Sequence, residues 1–130
     1  MFVVIDTNIL VSALWARNGA PARIVAAVLR GELIPCFDHR MLAEYWDVLL
    51  RPKFAFTRGE VSSLLGWFEA IGKSVTPAPV DLVFSDESDK KFFEVARFCN
   101  AILITGNLKH FSEDPLVMSV SAFLERYPRI

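Results

Sequence analysis

The sequence predicts an α/β fold: a central parallel sheet covered on both faces by helices, a three-layer α/β/α sandwich. Three observations lead there. Short, continuous apolar runs alternate with longer segments of helical periodicity. The two clearest runs stop at polar residues. The chain's 130 residues, 53% hydrophobic and 22% charged, suffice for one well-filled core. At about 100 to 200 residues per domain, residues 1–130 are expected to form a single domain.

The first strand is expected over Phe2–Ile5, a β-branched apolar run ending at Asp6 and suited to burial on both faces. Thr7-Asn8 and the apolar run 9–14 follow. Pro21 suits a first helical position, Ile24, Val25, Val28 and Leu29 form one stripe, and Gly31 suits the stop. A short strand is expected over 33–37. Over 40–50, Leu42, Tyr45, Trp46 and Leu49 repeat at helical spacing. A further helix is expected over 58–71 and a short strand over 74–76. Phe92, Phe93, Ala96 and Cys99 mark a helix over 88–99, and strands are expected over 101–104 and 116–118 before a last helix over 119–127. The expected order is β-α-β-α-α-β-α-β-β-α, with no repeat or Gly/Ser linker.

Composition narrows the function. Fourteen Lys and Arg against 15 Asp and Glu give a net charge of -1, which excludes a strongly basic, nonspecific nucleic-acid coat. No apolar run approaches the roughly 18 residues of a membrane span, and MFVVIDTN lacks the basic start of a signal peptide, so a cytoplasmic location is expected. Cys36 and Cys99 make no zinc-site spacing and read as reduced, buried filler, with a disulfide as the alternative. No GxGxxG or GxxxxGK[ST] phosphate loop occurs. A haloacid-dehalogenase-type phosphatase would want a second Asp where Asn8 stands, and a receiver domain would want further acids at the first strand. There is no Ser-His-Asp pattern; His39 and His110 have no obvious partner, and both read as surface or cap residues.

In parallel sheets ligands collect at the carboxyl ends of strands, where Asp6 and Asn107 fall. Asp6 sits among apolar neighbours, so its carboxylate must cap the next helix, pair with a cation or ligate a metal. Asp89 precedes Phe92 and Phe93 by three and four residues and shares their inward face; Asp86 reads as the helix cap. Glu44 falls opposite the Leu42, Trp46 and Leu49 stripe, which favours a solvated position, yet Met41 and Val48 give it an apolar setting.

The segments MFVVIDTNILVSAL, MLAEYWDVLLRPKF and SDKKFFEVARFCNAILITGNLKHF together resemble the PIN domain family, across most of the chain. They are most similar to its bacterial VapC-like branch, the toxin components of toxin-antitoxin pairs. The resemblance implies a PIN-like fold and a metal-dependent ribonuclease whose acidic cluster corresponds here to Asp6, Glu44 and Asp89. It also implies an antitoxin partner and a homodimer, for which Trp15 and Trp67 are candidate surface residues, core packing being the alternative. The family commonly has TGD where this chain has Thr105-Gly106-Asn107. An amide offers a neutral oxygen without the charge that a second ion favours, so weaker binding of a second metal is expected.

Phosphodiester hydrolysis needs a nucleophile at neutral pH and stabilised phosphoryl charge, which one or two divalent ions can provide. Three carboxylates about 4 to 5 Å apart would repel by roughly 3 to 4 kcal/mol per pair at an effective dielectric near 20, so such a cluster itself argues for a cation. Oxygen ligands select Mg²⁺ or Mn²⁺ over zinc, no His or Cys lying close to these acids in sequence. Asp6, Glu44 and Asp89 are the expected metal ligands and Asn107 a neutral auxiliary. Thr7, Asn8 and Thr105 are supporting candidates, with turn chemistry as their alternative. Of the basic residues in loops and at helix ends, Arg51, Lys53 and Lys109 are the candidate contacts for single-stranded or structured RNA. The rival function is a PIN-like module that binds RNA or a protein without cutting.

Overall fold

A computed structural model of the chain describes residues 1–84, 86–111 and 114–130. Five parallel strands form one sheet: β1 (Phe2–Ile5), β2 (Ile34–Phe37), β3 (Lys73–Ser74), β4 (Ile102–Ile104) and β5 (Val117–Met118), in the order β3-β2-β1-β4-β5. The expected α/β/α sandwich is the fold observed. Six α-helices accompany the sheet among the described residues: α1 (Thr7–Trp15), α2 (Ala20–Leu29), α3 (His39–Leu49), α4 (Arg58–Ile71), α5 (Lys90–Cys99) and α6 (Val120–Arg126). The apolar run after Asp6 is therefore a helix of its own, which the expected element order lacked. Short 3-10 turns at Pro52–Phe54, Glu87–Asp89 and Leu108–His110 complete the set. Among the described residues no helix is long and apolar enough to cross a membrane.

The central strands are hydrophobic on both faces because helices cover both. Val3, Val4, Ile5, Leu103 and Ile104 are buried, and α5 packs on β1, β2 and β4. The steps β1 to β2 and β2 to β3 run one way along the sheet, whereas β3 to β4 runs back. Right-handed crossovers then require α5 to lie on the face opposite the β1-to-β2 connection. The reversal falls between β1 and β4, where a crevice opens at the carboxyl ends of the strands.

Local signals end the elements where they should. Gly31 takes φ +79° just past α2, a conformation that side chains disfavour. Thr57 and Ser119 accept hydrogen bonds from Glu60 N and Ala122 N as caps of α4 and α6. At Gly72 a Cβ would stand 2.6 Å from the Pro35 carbonyl oxygen, so only glycine lets the end of α4 come this close to β2.

Cys36 and Cys99 are free and buried, and burial pushes the Cys36 thiol up to about 12. Trp15 and Trp67 do not fill the core. Trp15 is 64% exposed and packs edge-on against Phe54 and Phe56, while Trp67 lies over α2, its indole N–H donating to Val28 O at 3.3 Å. Each ring thus covers apolar neighbours while keeping much of its own surface in solvent.

Candidate functional site

The first residue beyond β1 is Asp6, and β1 pairs in register with β4 through Ile5 and Ile104. Parallel pairing carried one residue further sets Asp6 beside Thr105. Asp6 N donates to Ile104 O at 3.0 Å, and the Thr105 hydroxyl donates to Asp6 Oδ2 at 2.6 Å. Both side chains are buried, Asp6 at 4% exposure. Asp6 occupies the N-cap position of α1 but makes no side-chain cap bond, so the capping alternative fails here. Burial raises its carboxyl above the ordinary carboxylate range. The Thr105 hydrogen bond opposes that rise, and the nearby charges of Asp89 and Glu44 add to it.

Glu44 reaches this place through its neighbour in the chain. Tyr45 is wholly buried, and its hydroxyl donates to Ile5 O at 2.5 Å, which pins α3 to the end of β1 one residue from Asp6. The buried stripe of α3 runs through Met41, Tyr45 and Leu49, while Leu42 and Trp46 are only half-buried. Glu44 therefore borders the inward face and is not opposite it, as the spacing of Leu42, Trp46 and Leu49 had suggested. Its carboxylate accepts a hydrogen bond from the Thr7 hydroxyl and pairs with Lys91 Nζ at 2.9 Å. Lys91, 13% exposed, also bonds the Ser88 carbonyl oxygen, so one ammonium is fixed against Glu44 at the edge of the acidic group.

Asp89 is buried at the junction between the 3-10 turn Glu87–Asp89 and α5. The expected helix over 88–99 thus begins as a tighter turn, and the difference matters. In a 3-10 turn residues three apart eclipse each other, so Asp86 stands over Asp89. Asp86 caps that turn, as expected, its Oδ1 accepting from Ser88 N at 2.9 Å and Ser88 Oγ at 2.7 Å. Those bonds hold the Asp86 carboxyl below its usual range.

A second 3-10 turn, Leu108–His110, follows Asn107 and returns His110 to the same place. His110 Nδ1 lies 2.8 Å from Asp89 Oδ2. The surface-or-cap reading of His110 is therefore wrong: its partner is Asp89, 21 residues away in the chain. The readable signal was the spacing: His110 is three residues after Asn107 and Asp86 three before Asp89, but only the turn type makes three residues a return to one side.

These residues line a single cleft of about 300 Å³. Asp6, Glu44, Asp89 and Asn107 meet there, with Thr7 and Asn8 at the start of α1. Thr105 is buried behind them, its hydroxyl accepting from Asn107 N at 3.1 Å. Arg51 and Lys53 line the same cleft, Arg51 paired with Asp47 at 3.1 Å. Lys109 is exposed and is not among the lining residues. Four carboxylates, of Asp6, Glu44, Asp86 and Asp89, thus share the cleft with Arg51, Lys53 and His110, and Lys91 pairs with Glu44 beside it. The arrangement can hold cations and admit a phosphate flanked by basic side chains.

A family model for the PIN domain matches residues 2–109, which include every residue of the cleft except His110. An uncharacterized protein of Methanocaldococcus jannaschii is 32% identical over 108 residues, 81% of this chain and 70% of that protein. No solved structure matches the chain.

Proposed function

The chain belongs to the PIN domain family, whose members are generally nucleases, and from that premise we propose that it is a metal-dependent endoribonuclease acting on single-stranded or structured RNA. The observation that carries the reading is the meeting of Asp6, Glu44 and Asp89 in one cleft at the β1/β4 reversal, where burial raises the Asp6 carboxyl and the charges of the other two add to the rise. Carboxylates that oppose one another's ionisation gain from a shared cation, so the donor set fits a hard divalent ion, Mg²⁺ or Mn²⁺. Such an ion, when bound, supplies Lewis acidity toward the phosphoryl oxygens and lowers the cost of deprotonating the attacking water.

The chain's own residues supply position. Asp6, Glu44 and Asp89 are the ligands in this reading. Thr105 and Thr7 hold the carboxylates of Asp6 and Glu44. Asn107 offers a neutral amide as auxiliary ligand or as orienter of the attacking water, and Asn8 borders the same space. Arg51 and Lys53 orient the RNA backbone at the cleft, while Lys109, outside it, serves nucleotides beyond the scissile phosphate.

The proposal extends to a cytoplasmic single domain over 1–130, acting as a VapC-like toxin with an antitoxin and a homodimer. Support for a partner surface comes from Trp15, Phe54 and Phe56, which gather beside an apolar groove lined by Val11, Ser12 and Ala16. The test is cleavage of single-stranded RNA by the purified protein. Activity should require Mg²⁺ or Mn²⁺, stop with a chelator and fall about 100-fold or more in Asp6→Asn. Cleavage that survives Asp6→Asn would sink the assignment. RNA binding without cleavage at saturating Mn²⁺ would favour the non-cleaving module, the reading that Asn107 keeps open.

A further inference from the structure

Beside the acidic cleft stands an aromatic corner carried by the turn from α3 to α4. Residues 51–58 interleave basic and aromatic side chains: Arg51, Lys53, Phe54, Phe56 and Arg58. The rings of Phe54 and Phe56 stack, their centroids 5.7 Å apart. Between them Ala55 takes φ 57°, a left-handed conformation uncommon for a residue with a side chain. Trp15, from the end of α1, meets both rings edge-on at 6.1 and 6.2 Å. Phe56 packs against the core, whereas Trp15 is mostly exposed and Phe54 half-buried. An apolar groove of about 400 Å³, within the size range of small-ligand sites, runs along Trp15 and Phe54. Phe54 also lines the cleft that holds Asp6, Glu44 and Asp89, so groove and cleft meet at one ring.

Two occupants suit exposed aromatic rings, a protein partner and unpaired bases, and here position and charge favour the bases. Arg51 and Lys53 line the cleft together with Phe54, and Lys53 Nζ lies 5.1 Å from the centroid of that ring. Arg17, held by Glu60 at 2.9 Å, and Arg58 are both exposed and flank the rings in the chain. Cations that hold a backbone beside aromatic faces that accept bases are the means by which single strands are bound. Resting on the ribonuclease reading above, we propose that Trp15 and Phe54 form a stacking subsite for an unpaired nucleotide flanking the scissile phosphate, which makes unpaired RNA the substrate. In a duplex the faces of each base are covered by its neighbours, so these rings gain nothing from paired RNA. Every base has a π face, so the subsite selects strandedness and not sequence.

Fluorescence anisotropy of the full chain with a labelled single-stranded RNA of about 12 nucleotides, and with the matching duplex, tests this. Ca²⁺, which takes oxygen ligands, is the ion for binding, and cleavage is followed separately with Mn²⁺. The wild type should bind the single strand more tightly than the duplex and lose tryptophan fluorescence as it does so. Trp15→Ala and Phe54→Ala should each weaken single-strand binding about 10-fold and leave the duplex unchanged, and Trp15→Ala should remove the quenching. Trp15→Phe keeps a stacking face and should recover most of the affinity. Trp15 is mostly exposed, so Trp15→Ala should melt at the wild-type temperature. Unchanged single-strand affinity in both alanine variants would overturn the subsite, as would an equal loss for strand and duplex. A dimer lost in Trp15→Ala with RNA affinity unchanged would give the rings to a second copy of the chain and overturn it too. Cleavage in Mn²⁺ with an unaltered KM in both variants would remove the subsite and leave the ribonuclease reading intact. Strand-selective binding that depends on Trp15, with no cleavage in Mn²⁺, would keep the stacking and remove the ribonuclease. No RNA binding by the wild type would overturn both.

Discussion

Asp6 and Asp38 occupy equivalent places in the fold. Each follows a four-residue strand of the same parallel sheet, each stands at the N-cap position of a helix, and each is almost fully buried. Their partners differ. Asp38 caps α3, accepting from Met41 N at 2.9 Å, and pairs with Arg40 at 2.7 Å. Arg40 also pairs with the buried Glu94 at 2.9 Å, and Glu94 accepts from Val80 N at 2.8 Å. Asp6 makes no side-chain cap bond, accepts from one hydroxyl and faces other acids. A strand-end carboxylate becomes a brace where an arginine balances it and a candidate ligand where its neighbours are also anionic.

Breaking the balanced region should have the larger effect on stability. Arg40→Ala leaves Asp38 and Glu94 buried without their cation and should cost about 2 kcal/mol in urea unfolding. That is below the roughly 3 to 5 kcal/mol of a fully buried pair, because Arg40 is itself 41% exposed. An Arg40→Ala protein as stable as the wild type would mean that the hydrogen bonds alone sustain the two acids, and the contrast with Asp6 would lose its basis.

Removing the built-in cation from the unbalanced region should sharpen the contrast. Lys91→Met deletes the ammonium that pairs with Glu44, and divalent binding measured by calorimetry should tighten about tenfold, or about 1.4 kcal/mol. Weaker binding would show that Lys91 orders Glu44 more than it competes for it.

The smallest effect concerns pH. In chelator, Asp6 has a folded-state pKa above its ordinary 3.8, so the folded chain holds this proton more tightly than the unfolded chain does. The stabilising contribution is therefore full below the ordinary value and is lost as pH rises through the raised one. Asp6→Asn should abolish this dependence and stabilise the ion-free protein at neutral pH by on the order of 1 kcal/mol, the reverse of its effect on activity. Denaturant melts across pH decide the sign, and a destabilised Asp6→Asn would show that the charge is compensated in the empty cleft.

Much of this was legible in the residues. The apolar runs that became β1 and β4, the helix over 58–71 and the burial of Asp89 follow from hydrophobic spacing, which is local and periodic. The short strands β3 and β5 were less sharply marked, because two residues carry almost no periodic signal.

What the chain determined by itself was the parallel sheet, five of its six helices and the acid at the end of β1, since burial pattern and strand-end chemistry act over a few residues at a time. What only the tertiary structure decided was charge balance. Arg40 meets Glu94 across 54 residues, Lys91 meets Glu44 on another helix, and His110 meets Asp89 through two turns whose tightness spacing alone does not reveal. Coulomb energy depends on separation in space and on the water excluded between groups, and neither is written in the distance along a chain.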